Sequence, residues 1–84
     1  MAEIVIEPHA RERMVERGAD DNEVRATIER GEQFGAKHGR VGFRRNFGYD
    51  QTRRGRRYSV KQLEVYAVNE IDRWIVITVI VRFF

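Results

Sequence analysis

The sequence contains no cysteine, one proline and one serine, and these shortages restrict the chemistry before any motif is considered. Without cysteine there is neither a disulfide framework nor a zinc–thiolate site, and a reducing compartment is permitted. With Ser59 as the sole serine, no serine or cysteine nucleophile arrangement emerges. Long apolar runs are also missing. The longest, Trp74 to Val81, falls far short of the roughly 20 residues that span a bilayer. The start, MAEIVIEPHA, mixes acidic with apolar residues and has no basic leader region. A cytoplasmic protein with neither a signal peptide nor a membrane span is therefore expected. At 84 residues and 42% hydrophobic content the chain suits one domain, residues 1–84, with one core.

Charge is present in quantity and unevenly placed. Residues 1–39 carry six Lys or Arg against nine Asp or Glu, whereas residues 40–61 carry eight basic residues against Asp50 alone. Phe43, Phe47, Tyr49 and Tyr58 are interleaved with that basic block. Arginine pairs phosphates bidentately and aromatic faces accept bases, so the pattern suits polyanion binding, although a solvated loop would have the same composition.

No repeat, low-complexity tract or linker interrupts the chain. EIVI at 3–6 reads as a short strand. Pro8 fits the first turn of a helix that runs to about Arg17 and stops at Gly18, a residue suited to the left-handed position after a helix. A second helix starts at once: Asp20 can cap it, Glu23 can reach back from the third position, and Ala19 with Val24 can form a hydrophobic staple. Val24, Thr27 and Ile28 form its inward stripe, and Gly31 is a plausible stop. Beyond Gly31 the period changes to two. VGFRRNF alternates Val41, Phe43, Arg45 and Phe47 against Gly42, Arg44 and Asn46. The stretch 48–57, GYDQTRRGRR, reads as a polar turn region. KQLEVYAV at 61–68 points Leu63, Val65 and Ala67 one way and Gln62, Glu64 and Tyr66 the other. RWIVITVIVRFF is apolar on both faces, as a central strand would be. The expected fold is α+β, with two N-terminal helices packed on one face of an antiparallel sheet.

Within the first helix His9, Arg13 and Arg17 recur every four residues and fall in an arc of about 80°. They border the stripe of Ala10 and Met14, where a helix meets its sheet, and a row of cations there could hold a phosphate. The same spacing also suits arginines that snorkel and pair with Glu12 or Glu16, or with Asp20 and Glu23 of the second helix. Other constellations are weaker. GAKHGRVG lacks the spacing and the Lys-Ser/Thr of a phosphate loop and reads as a turn, with His38 a solvated loop side chain. Asp20, Asp21, Asn22 and Glu23 satisfy a helix N-terminus rather than a metal, and no metal or cofactor is expected. A helix-turn-helix is disfavoured because residues 20–30 carry Asp20, Asp21, Glu23 and Glu29 where a groove-reading helix needs positive charge.

PHARERMVERGADDNEV, with its His-x3-Arg-x3-Arg-Gly spacing, and the ending LEVYAV…WIVITVIVRFF resemble the small bacterial domain-of-unknown-function family numbered 4258. The resemblance covers nearly the whole chain. That family is grouped with the barnase, EndoU, colicin and RelE-like class of metal-independent ribonucleases, many of them toxins. It thus implies a RelE/barnase-like arrangement of two helices on a roughly four-stranded antiparallel sheet and RNA cleavage; RNA or the ribosome would be the partner, and whether an antitoxin protein exists is left open by the sequence.

Cleavage of RNA without metal needs a base for the 2′-hydroxyl, an acid for the leaving 5′-oxygen and cations for the phosphorane. His9 is the first candidate for proton transfer. Arg13, Arg44 and Lys61 are candidates for phosphate contact, and Glu64 and Tyr66, sharing a strand face, for the second proton-transfer group. Arg17, Arg44, Arg45, Arg53, Arg54, Arg56 and Arg57 are the expected nucleic-acid contacts. Two other readings follow from the same residues. A non-catalytic RNA- or ribosome-binding module would use the basic block to grip phosphates without cutting. A protein-interaction domain or homodimer would use the terminal VIVRFF.

Overall fold

The computed structural model describes residues 3–84. A short strand, β1 (Glu3–Ile6), leads into α1 (Pro8–Arg17) and α2 (Asp21–Arg30). Four strands follow: β2 (Glu32–Gly35), β3 (Val41–Arg53), β4 (Arg56–Asn69) and β5 (Arg73–Phe83).

Both helices are bounded by local chemistry. Pro8 opens α1, and the Glu7 carboxylate accepts from the His9 and Ala10 amides at 3.2 and 3.4 Å. At the other end Gly18 takes φ 80°, the left-handed cap that a glycine adopts without steric cost. A full capping box starts α2. The Glu23 amide donates to Asp20 at 2.8 Å, and the Asp20 amide donates to the Glu23 carboxylate at 3.0 Å. Gly31 ends α2 in extended backbone, for a reason the sequence hid. A Cβ there would sit 2.4 Å from the Thr27 carbonyl and 2.7 Å from that of Arg44, so only glycine lets the helix end approach β3 this closely.

The sheet runs β1-β5-β4-β3-β2. It has five strands rather than four, and it is mixed, because β1 pairs parallel to β5 while all other pairs are antiparallel. The topology accounts for that parallel pair. Two helices return the chain to the end of the sheet from which β1 exits, so β2 runs opposite to β1. Three hairpin reversals then bring β5 into the direction of β1. The extra strand, β2, is the segment EQFG, whose single apolar residue leaves no period to detect.

Tight turns join the meander. His38–Gly39, Arg54–Gly55 and Ile71–Asp72 are consecutive pairs at positive φ, the pattern of two-residue type I′ hairpins. The polar stretch 48–57 is consequently not a ten-residue turn. Its ends extend β3 and β4 into a long ribbon, with a register shift between Gly48 and Gln51, and only Arg54 and Gly55 turn. The expected central strand, β5, is interior only along Arg73–Val76, where β1 flanks it; the middle of the sheet is β4.

Ala10, Met14, Val24 and Ile28 from the helices join Phe43, Leu63, Val65, Ala67, Val76 and Val79 from the sheet in one buried cluster. The helices thus lie over one sheet face, α1 against β5 and α2 against β3 and β4. Residues that alternate with this set, including Arg44, Glu64, Tyr66 and Thr78, project from the opposite face.

Candidate nucleic-acid interface

Alternation along β4 divides the expected site. Lys61 belongs to the helix-covered face and Glu64 to the other, so the two residues proposed to act together are separated by the sheet itself. Lys61 is 7% exposed and fully engaged there. Its ammonium donates to the Gly18 carbonyl and, at 2.8 Å, to the Glu23 carboxylate. It therefore closes the negative end of α1 and ties it to the cap of α2.

The basic stripe of α1 is likewise dispersed. The His9 side chain is 83% exposed and has only Glu12 within ion-pair range, at 4.0 Å. Arg13 forms an exposed pair with Glu16 at 3.1 Å. Arg17 is half-buried and donates to the Val79 carbonyl at 2.6 Å, fastening α1 to β5. None of the three is brought beside Glu64 or Tyr66. On the same covered side, the Arg45 guanidinium stands 5.3 Å from the Phe47 ring, and its Nη1 is buried without a hydrogen-bond partner among the described residues.

What the structure does gather is on the uncovered face. The Glu64 carboxylate, 8% exposed, accepts from Arg44 Nε at 2.9 Å and from the Tyr66 hydroxyl at 2.9 Å, and pairs with Arg82 at 3.0 Å. Burial pushes the Glu64 pKa up, but the hydrogen bonds from Arg44, Tyr66 and Arg82 together outweigh it and hold the carboxyl below its ordinary range. Burial and the bond to Glu64 raise Tyr66, so its hydroxyl keeps its proton and donates. Arg44 is shared with Glu32 at 3.2 Å, and its guanidinium lies 4.7 Å from the centre of the Phe34 ring.

Beside this cluster lies a pocket of about 400 Å³. Phe34 and Tyr66 form an edge-to-face corner in its wall, with ring centres 6.0 Å apart and planes at 87°. Lys37, His38, Arg40 and Thr78 complete much of the lining. The sequence reading misses this site because Phe34 sits on a strand with no detectable period, while His38 is, as expected, an exposed loop side chain. His38 is indeed on a turn, yet the turn places it at the pocket. The turn is the I′ pair His38–Gly39, which brings Gly42 of β3 beside Phe34 of β2 and leaves Arg40 opposite Ala36 just outside the strands.

The remaining arginines decorate the β3–β4 ribbon. Arg53 stacks on Phe83 at 4.8 Å and Arg56 on Tyr58 at 5.6 Å, while Arg54 and Arg57 are exposed. Phe83 is enclosed by Tyr49 and Tyr58, whereas Phe84 remains exposed and pairs through its backbone with Val60. Among the described residues no cluster of His, Asp and Glu is gathered in a way that could hold a metal ion, and no helix is long and apolar enough to cross a membrane.

These features define a class: a small α+β domain whose five-stranded mixed sheet is covered by two helices on one face. The profile described as domain of unknown function DUF4258 matches residues 6–81, and the chain belongs to that family. No curated protein and no solved structure matches it.

Proposed function

We propose that this chain acts on RNA and that the uncovered sheet face is where RNA lies. One observation carries the reading: the face that holds Arg44 against the Phe34 ring, and Arg82 joined to it through Glu64, also carries an aromatic-walled pocket lined by Lys37 and Arg40. Arginines hold phosphates, aromatic walls hold unstacked bases, and single-stranded RNA offers both.

The finer reading is a metal-independent endoribonuclease of the RelE/barnase-like kind, with a proteinaceous antitoxin as its partner. The hydrogen-bonded Tyr66–Glu64 pair at the pocket wall favours it over passive binding. In that reaction the 2′-hydroxyl loses its proton to a base as O2′ attacks phosphorus. The P–O5′ bond breaks, and the leaving 5′-oxygen gains a proton. Tyr66, which retains its proton, suits the acid, and the His38 imidazole at the pocket suits the base. Arg44 and Arg82 would face the charge that accumulates on the phosphorane. His9, Arg13 and Lys61 have no part in this arrangement.

The test is electrophoresis of total RNA and of translating ribosomes after exposure to the purified protein, with EDTA in the free-RNA arm. The enzyme predicts fragments that persist in EDTA and vanish in Tyr66→Phe while His9→Ala still cuts. Loss of cutting in His9→Ala alone would move the site to the helix side. Intact RNA with a salt-sensitive mobility shift would reduce the activity to binding. The absence of both cutting and a mobility shift would overturn the proposal.

A further inference from the structure

We infer that the corner between Phe34 and Tyr66 is a subsite for the base of one unpaired nucleotide, with the turn at residues 37–40 holding its phosphate. The inference rests on the RNA reading and specifies what the face would recognise. Three observations on different elements support it.

The first is the shape of the wall. Phe34 and Tyr66 meet nearly at right angles, so a flat ring stacked on one meets the other edge-on. Neither ring belongs to the buried core, which is assembled on the opposite face of the sheet.

The second is how Phe34 is held. A Cβ on Gly42 would come within 2.4 to 2.9 Å of three Phe34 ring carbons, so the ring rests directly on the Gly42 backbone of the neighbouring strand. Arg44 adds its guanidinium at 4.7 Å from the ring centre. Phe34 is therefore fixed before any ligand arrives, which reduces the ordering cost of binding.

The third is charge. Lys37 and Arg40 line the same pocket, at the two ends of the type I′ turn that joins β2 to β3. Neither makes a salt bridge among the described residues. A ligand with a flat aromatic part and an adjoining anion satisfies both halves, and about 400 Å³ lies within the usual range for small-ligand pockets. A base that is still paired and stacked cannot enter a recess walled by two rings, which selects unpaired nucleotides.

Titration of the intact, 15N-labelled protein with adenosine 5′-monophosphate, uridine 5′-monophosphate, ribose 5-phosphate and inorganic phosphate tests this. The nucleotides are expected to shift the amides of Gly35, His38, Tyr66 and Thr78. Base stacking should make them bind about tenfold more tightly than ribose 5-phosphate. Phe34→Leu, which keeps apolar cover on Gly42 but offers no ring face, should erase that tenfold advantage while ribose 5-phosphate binding persists. Gly42→Ala, which displaces the ring, should do the same. Equal affinity for nucleotide and ribose 5-phosphate, or shifts confined to other residues, would overturn the inference. RNA still shifted in that case would leave the RNA reading intact, whereas loss of both would overturn the two together.

Discussion

Neighbouring positions on one strand can carry unrelated duties, and β4 shows why. Lys61 and Glu64 are three residues apart, an odd interval, so their side chains leave opposite faces. One is enclosed by helix ends and serves packing; the other is surrounded by arginines on the uncovered face. Glu64 leads to a pH prediction. Its folded pKa lies below the ordinary value of 4.5, so its contribution is present above the unfolded pKa and is lost as pH falls through the folded one. Glu64→Gln removes that dependence. The stability advantage of wild type over the variant, measured by urea unfolding, should accordingly be largest near pH 6 and shrink steadily toward pH 3, as estimated from ordinary carboxylate titration. An advantage that grows on acidification would contradict the assigned arrangement of charges.

At the scale of elements, the three I′ turns differ in how well their residues suit them. His38–Gly39 and Arg54–Gly55 each place glycine at the second position. Ile71–Asp72 does not, and Ile71 is a β-branched residue at φ 39° with 89% of its surface exposed. Left-handed backbone costs a non-glycine residue roughly 1–2 kcal/mol, and nothing buried compensates Ile71 for it. Replacement by asparagine, Ile71→Asn, should stabilise the protein by about 1 kcal/mol, seen as a higher urea midpoint with unchanged slope. A lower midpoint would mean that the Ile71 side chain finds cover in solution. Helix boundaries, by contrast, were legible from the outset. Asp20 with Glu23, Pro8 and Gly18 act through bonds a few residues long, and local chemistry of that range can be read directly.

For the whole molecule the decisive feature is a sheet with one face covered and a ribbon that outruns it. The molecule measures 42 Å along its longest axis against 24 Å across. Arg54 and Arg57 stand exposed on that ribbon and make no ion pair among the described residues. Exchanging both for glutamine, Arg54→Gln with Arg57→Gln, should change stability by no more than about 0.5 kcal/mol. If both arginines touch phosphate in single-stranded RNA, the slope of log affinity against log salt should become shallower by about 1.4. An unchanged slope would confine RNA to the pocket side of the sheet.

The amino-acid pattern alone determined the family, the two helices with their caps and the inward stripe of Val24, Thr27 and Ile28. It also specified that Leu63, Val65 and Ala67 face away from Glu64 and Tyr66. Each of these depends on spacing or on a bond within one turn. Only the tertiary structure decided that β1 joins the sheet in parallel, that EQFG is a strand, that Lys61 serves the helix ends and that Arg17 ties α1 to β5. The same holds for Phe34, Tyr66 and His38 sharing a pocket. Those outcomes depend on which strands become neighbours, and pairing is set by the burial of all elements at once rather than by any single segment's own sequence.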